Sequence, residues 1–158
     1  MQKITTFLWF DNQAEAAASF YTSLFKNSKI TDVVRYGEGS PGQPGSAMTV
    51  NFELDGQEFI ALNGGPESRF TEAISLFVTC EDQAEVDRLW SMLTSDEGEE
   101  SQCGWLKDKY GLSWQIVPAN LGKYIGGPDP AGAQRAIQAM LQMKKLDIAA
   151  LQRVYEGR

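Results

Sequence analysis

The order of secondary-structure signals runs twice along this chain, and that repetition limits its folds more than any other feature of the 158 residues. Gln13-Ala14-Glu15 and Gln83-Ala84-Glu85 each follow a β-rich segment and open a helix-patterned one. Three matching letters alone are weak, but the repeated order around them points to two copies of a β-α-β-β-β unit. In the first copy Lys3–Phe10 (KITTFLWF) is β-branched and aromatic and reads as a strand. Asp11 and Asn12 follow as cap residues. The stretch NQAEAAASFYTSLFK then puts Ala14, Ala17, Ala18, Tyr21 and Leu24–Phe25 on one helical face. Ser28–Tyr36 reads as a second strand, and the loop GEGSPGQPGS holds no regular structure. Strands at Ala47–Leu54 and Gln57–Leu62 are joined by Asp55-Gly56, the strongest hairpin signal in the chain.

The second copy opens with a strand at Ala73–Thr79. Glu81-Asp82 then caps a helix over Gln83–Leu93, whose buried stripe is Val86, Leu89, Trp90 and Leu93. An acidic turn, SDEGEES, leads to a short strand, then Gly104–Lys107, and a last strand at Leu112–Val117 is stopped by Pro118. Beyond it, helices are expected at Ala131–Met143 and Leu146–Tyr155. Their Ala, Met and Leu faces either pack on the same domain or join two subunits. The expected fold class is α+β, two βαβββ modules forming curved mixed sheets plus C-terminal helices. The modules span 1–65 and 72–118 of a paired domain at 1–118, and 119–158 form a helical extension.

Composition excludes several functions. Fourteen basic residues against 21 acidic ones leave a net charge of −7, the opposite of a nucleic-acid footprint. No apolar run approaches the roughly 20 residues of a membrane-spanning helix, and the N-terminus lacks a signal-peptide pattern. A cytoplasmic protein is therefore expected, without nucleic-acid or membrane partners. There is no histidine. That removes Ser-His-Asp and Cys-His catalysis and the HExxH zinc site. Two cysteines, Cys80 and Cys103, form no CxxC pair and read as reduced thiols.

LWFDNQAEAAASFYTSLF, ALNGGP, ISLFVTCED and QCGWLKDKYGLSWQIVP together resemble the PhnB-like members of the vicinal oxygen chelate superfamily, the glyoxalase / bleomycin-resistance / dioxygenase fold. More narrowly, the chain is similar to the group often labelled 3-demethylubiquinone-9 3-methyltransferase. The resemblance covers about residues 2–118, and its most specific piece is G-W-L-x-D-x-Y-G-x-x-W-Q-I-V-P. It implies two units facing each other around a cleft, where the enzymes of the superfamily hold a divalent metal on four side chains. Carried over, those four positions fall on Thr6, Asn63, Ser75 and Gln115. None is anionic and none is an imidazole, so they are poor holders of Mn, Ni, Fe or Zn. No metal and no cofactor are expected.

With Thr6 taken as facing the cleft, alternation puts Leu8 and Phe10 beside it and turns Phe7 and Trp9 towards the helix. Ser75 shares its face with Phe77, and Gln115 with Ser113 and Val117. Trp105 is placed at the cleft mouth and Trp114 in the core. The candidate ligand-binding set is therefore Thr6, Leu8, Phe10, Asn63, Ser75, Phe77, Trp105 and Gln115, mixed apolar walls with a few polar groups. The alternative for the polar members is a relic site whose groups bond only each other or water. The function expected is binding of a small, partly apolar molecule by a metal-free homodimer. The alternatives are a metal-dependent lyase, isomerase or dioxygenase, or the methyltransferase of the label. Against the last, the turn after the first strand, Phe10-Asp11-Asn12, has no glycine for a cofactor phosphate or adenosyl group.

Overall fold

The computed structural model describes residues 1–158 and divides into two compact units, Met1–Phe70 and Thr71–Arg158. The first contains β1 (Thr6–Phe10), α1 (Ala14–Leu24), β2 (Lys29–Arg35), β3 (Ala47–Leu54) and β4 (Gln57–Asn63). Its sheet has the order β1-β4-β3-β2, with β1 parallel to β4 and the other pairs antiparallel. The second contains β5 (Ser75–Cys80), α2 (Gln83–Leu93), β6 (Glu99–Glu100), β7 (Trp105–Lys107) and β8 (Ser113–Pro118). Its order is β5-β8-β7-β6, with β5 parallel to β8. Two mixed four-stranded sheets with the same strand order are what a duplicated βαβββ unit produces.

Local chemistry sets the elements. Asp55 and Gly56 have φ of 49° and 80°, the two left-handed residues that a tight hairpin between Leu54 and Gln57 requires. α2 starts at Asp82, whose carboxylate accepts from the Glu85 amide. α1 departs from expectation. Neither Asp11 nor Asn12 caps it; the flanking residue is Gln13, whose side chain makes no capping bond. The cap comes from β4 instead, where Asn63 Oδ1 accepts from the Ala14 amide at 2.8 Å.

In the first unit the α1 stripe of Ala14, Ala17, Ala18, Tyr21 and Leu24 is at most 2% exposed. It lies on Leu8, Phe10, Val50, Phe52, Phe59 and Ala61, and small alanines let the helix approach the sheet closely. Tyr21 reaches Phe52 at 6.3 Å, and Phe52 stacks on Phe59 at 5.4 Å. In the second unit Val86, Leu89, Trp90 and Leu93 cover Cys80, Leu106, Trp114 and Ile116, all buried. Burial pushes the Cys80 thiol up to about 12, with Glu85 of α2 beside it as a second cause. The folded state therefore holds the neutral thiol. This contribution to stability is full below the ordinary thiol pKa of 9.0 and is lost as pH rises towards 12. Half-buried Cys103 is the accessible thiol. Titration with a thiol reagent at pH 8 is expected to modify one cysteine per chain without denaturant and two with it.

After Pro118 the chain forms three helices, not two: α3 (Gly122–Ile125), α4 (Pro130–Leu141) and α5 (Ile148–Tyr155). α3 went unread because a single turn flanked by glycines has no periodicity. Tyr124, Ala136 and Leu151 form the core of this cluster. Arg135 crosses from α4 to donate to the carbonyls of Val154 and Tyr155 at 2.7 Å, closing the end of α5. Leu146, expected inside the last helix, precedes it. It is fully buried, and Asp147 caps the helix instead.

Candidate functional site

Strand alternation fixes which side chains remain free of the helices. In the first unit, cross-strand partners share a face. Thr6 pairs with Phe59, Leu8 with Ala61 and Phe10 with Asn63; Phe52 pairs with Phe59. Phe52 touches Tyr21 of α1, and Asn63 bonds Ala14 of α1. Thr6, Leu8, Phe10 and Asn63 therefore all lie on the face beneath α1, the reverse of the sequence expectation. Leu8 and Phe10 are 4% and 3% exposed, and Phe10 makes an edge contact with Phe70 at 5.2 Å. Both ends of the Asn63 amide are occupied, since Nδ2 donates to the Ala47 carbonyl at 2.9 Å.

The open face of this sheet carries Phe7, Trp9, Ile60 and Leu62, the residues assigned to the helix side from sequence. Phe7 is 54% exposed. Trp9 is held by its indole N–H, which donates to the Gly65 carbonyl at 2.9 Å. Its ring lies against Gly64 so closely that a Cβ there would come within 2.4 Å of it. The Gly64-Gly65 pair thus seats this tryptophan. Asn63→Ala removes the α1 cap and strands two backbone groups. We expect a loss of about 1–3 kcal/mol in denaturant unfolding.

The second unit follows expectation. Cys80 lies against α2, so Leu76, Val78 and Cys80 form the helix side of β5, and Ser75, Phe77 and Thr79 its open side. Ser75, Phe77, Trp105 and Gln115 therefore come together on one open face. Gln115 Nε2 donates to Ser75 Oγ at 3.0 Å, Trp105 is in register with Gln115, and Phe77 is 59% exposed. Trp114 points the other way, and its indole N–H donates to buried Asp108 at 2.9 Å.

Beside this quartet, towards the sheet edge, is a depression of about 190 Å3 that sequence reading did not find. Glu72, Glu99, Trp105, Lys107 and Ser113 are among its lining. Lys107 is ion-paired with Glu72, and each partner holds the other in its charged form: the Lys107 pKa is raised and that of Glu72 lowered.

The four positions carried over from the metal-binding relatives do not fit a divalent cation. Two face α1, each end of the Asn63 amide bonds to backbone, and the Ser75 hydroxyl and Gln115 amide are neutral and bond each other. Nor does any cluster of three or more Cys, Asp or Glu side chains gather to hold a metal elsewhere.

A family model described as 3-demethylubiquinone-9 3-methyltransferase matches residues 2–117. The chain belongs to this family. Its PhnB-like character rests on one close relative. The PhnB protein from Bacillus cereus is 42% identical, with a TM-score of 0.70 over 75% of this chain and 100% of its own. A protein from Pseudomonas aeruginosa is 17% identical, with a TM-score of 0.61 over 75% of this chain and 98% of its own. A glyoxalase/bleomycin resistance protein from Albidiferax ferrireducens T118 is 13% identical, with a TM-score of 0.46 over 72% and 95%. No curated protein matches the sequence. The PhnB-like family model ends at residue 117, so the C-terminal helices lie beyond it. No helix is long and apolar enough to cross a membrane.

The word methyltransferase in the family's description finds no match in these sheets. Cofactor-binding methyltransferases of the common class need consecutive parallel strands linked by helical crossovers and a Gly-rich turn after the first. Here β1 reaches its parallel neighbour β4 through antiparallel β2 and β3, and no glycine follows β1 before α1.

Proposed function

We propose that this PhnB-like protein binds a small, partly apolar molecule on the open sheet face of its second unit, without a metal ion. The observation carrying this reading is the convergence there of Phe77, Trp105 and the Ser75–Gln115 hydroxyl–amide pair. Apolar walls with a few placed polar groups are the usual make-up of a ligand site. An aromatic side chain left 59% exposed beside them is surface that a ligand would cover. Thr6, Leu8, Phe10 and Asn63 support the fold around α1 in this reading and do not touch the ligand.

The protein acts as a cytoplasmic homodimer in the same proposal. Two free cysteines suit a reducing compartment. Exposed Phe7 and Val34 on the first unit, and Leu141 on α4, offer apolar surface for a second copy. Sedimentation equilibrium at micromolar concentration is expected to give twice the 17.5 kDa chain mass; a monomer would remove this part of the proposal.

The test of the binding reading is calorimetry against a panel of small aromatic and amphipathic metabolites, with Phe77→Ala beside the parent. A binder tighter than about a millimolar is expected, weakened roughly tenfold by the substitution. A binder indifferent to Phe77→Ala, or none at all, would remove the assignment to this face.

A further inference from the structure

We propose that the depression beside the quartet takes a small organic ammonium ion: a primary amine on an apolar group about the size of a benzene ring. This deepens the binding reading above and rests on it. The β-ladder sets Glu99 of β6, Lys107 of β7, Ser113 of β8 and Ser75 of β5 in one row across the sheet, on the open face.

Ser113 is the decisive member. It is 1% exposed, lines the depression, and its Oγ has no hydrogen-bond partner. A buried hydroxyl left unpaired is costly, and native proteins generally supply its partner. The neighbouring serine does not supply it: Ser75 Oγ accepts from Gln115, and no bond joins the two hydroxyls. A group entering the depression can.

Charge selects the group. Lys107 is paired with Glu72; Glu99, in register with Lys107, acts on its charge without forming a salt bridge, and Glu100 forms none either. Three carboxylates surround one ammonium, so the local field attracts cations and repels carboxylates and phosphates. An amine carries N–H donors for Ser113 Oγ and a positive charge for Glu99 in the same atom. Size selects the rest of the molecule. About 190 Å3 is slightly more than the roughly 150 Å3 that accepts a benzene ring, and the Trp105 indole supplies an apolar and cation-attracting wall.

The experiment is calorimetric titration of the full chain at pH 7 and low salt with benzylamine, benzyl alcohol and benzoate. Benzylamine is expected to bind at least tenfold more tightly than benzyl alcohol, and benzoate more weakly than either. Glu99→Gln should weaken benzylamine about tenfold and Ser113→Ala about fivefold. Ser113→Ala should unfold no earlier than the parent, because it removes an unpaired buried hydroxyl, so lost binding is not lost folding. Benzyl alcohol or benzoate binding as well as the amine would overturn the ammonium assignment and leave the broader reading of the face standing. Full benzylamine affinity in both variants would overturn the placement in this depression. No binding by any of the three overturns the proposal, and the Phe77→Ala panel then decides the broader reading separately.

Discussion

Asp108→Ala is expected to be among the most destabilising single substitutions in this chain, lowering unfolding free energy by about 3–5 kcal/mol. The carboxylate is 2% exposed and accepts three bonds: from the Tyr110 amide at 2.8 Å, the Leu112 amide at 3.1 Å and the Trp114 indole at 2.9 Å. Together with the Gly111 amide donating to the Asp108 carbonyl, these bonds shape the turn between β7 and β8. Alanine leaves the donors of Leu112 and Trp114 unpaired inside the protein, each at a cost of roughly 1–3 kcal/mol. Asp108→Asn should cost less. Its amide oxygen still serves the two backbone donors, but its NH2 group meets the indole N–H, donor against donor. Urea unfolding of the three proteins checks the order, parent above Asn above Ala. The turn also joins Lys107 to Ser113, so if the depression binds benzylamine as proposed, the Ala variant should bind it more weakly while still folded. Equal stability of all three would show that the three hydrogen bonds to Asp108 contribute nothing.

Leu146→Ala is the second large effect, with an expected loss of about 2–5 kcal/mol. Leu146 is fully buried and fits against Gly104, where a Cβ would lie 3.1 Å from its Cδ1. Gly104 has φ of 86° and donates its amide to the Lys144 carbonyl at 2.8 Å, and the Cys103 amide reaches the Met143 carbonyl at the same distance. Gln83 of α2 grips the other side, donating to the Leu146 carbonyl and accepting from the Ile148 amide. The C-terminal helices are thus fastened to the second unit by one apolar anchor and a short ladder of backbone bonds. Deleting the anchor should free residues 119–158 before the sheet unfolds. Limited proteolysis would then cut between α4 and α5 in Leu146→Ala under conditions that spare the parent; a parent-like digestion pattern and melting point would contradict this role.

How much of this was legible in the sequence depends on whether a local signal stood alone or competed with a distant one. Asp55-Gly56 set its hairpin because Asp-Gly readily takes the two left-handed conformations found in this turn. The α2 stripe of Val86, Leu89, Trp90 and Leu93 was legible because its members recur at a spacing of three and four residues. β8 was oriented correctly because Ser113 and Gln115 alternate with Trp114 and Ile116. β1 was not. TFLWF is apolar on both sides, so alternation fixes the period and not the direction, and the face was assigned in reverse. What decides it is the bond from Asn63 to Ala14, across 49 residues, which no local pattern announces.

The same reason explains what was missed at the site. Ser75 and Gln115 were placed together by the family resemblance, Phe77 by alternation from Ser75, and Trp105 as an aromatic at the cleft mouth. The depression beyond them depends on Glu72 reaching Lys107 and on a Ser113 hydroxyl without a partner, both products of tertiary packing. Ser113 in the string LSWQIV looks like an ordinary strand serine.

The most direct measurement is native mass spectrometry of the untagged protein purified without chelator or added metal, reading bound ions and organic adducts together. A metal-free chain retaining an organic adduct, lost in Phe77→Ala, is the expected result. One Mn, Ni, Fe or Zn ion per chain that resists dialysis would contradict the reading of Ser75 and Gln115 as neutral partners of each other and restore a chelating site to this fold.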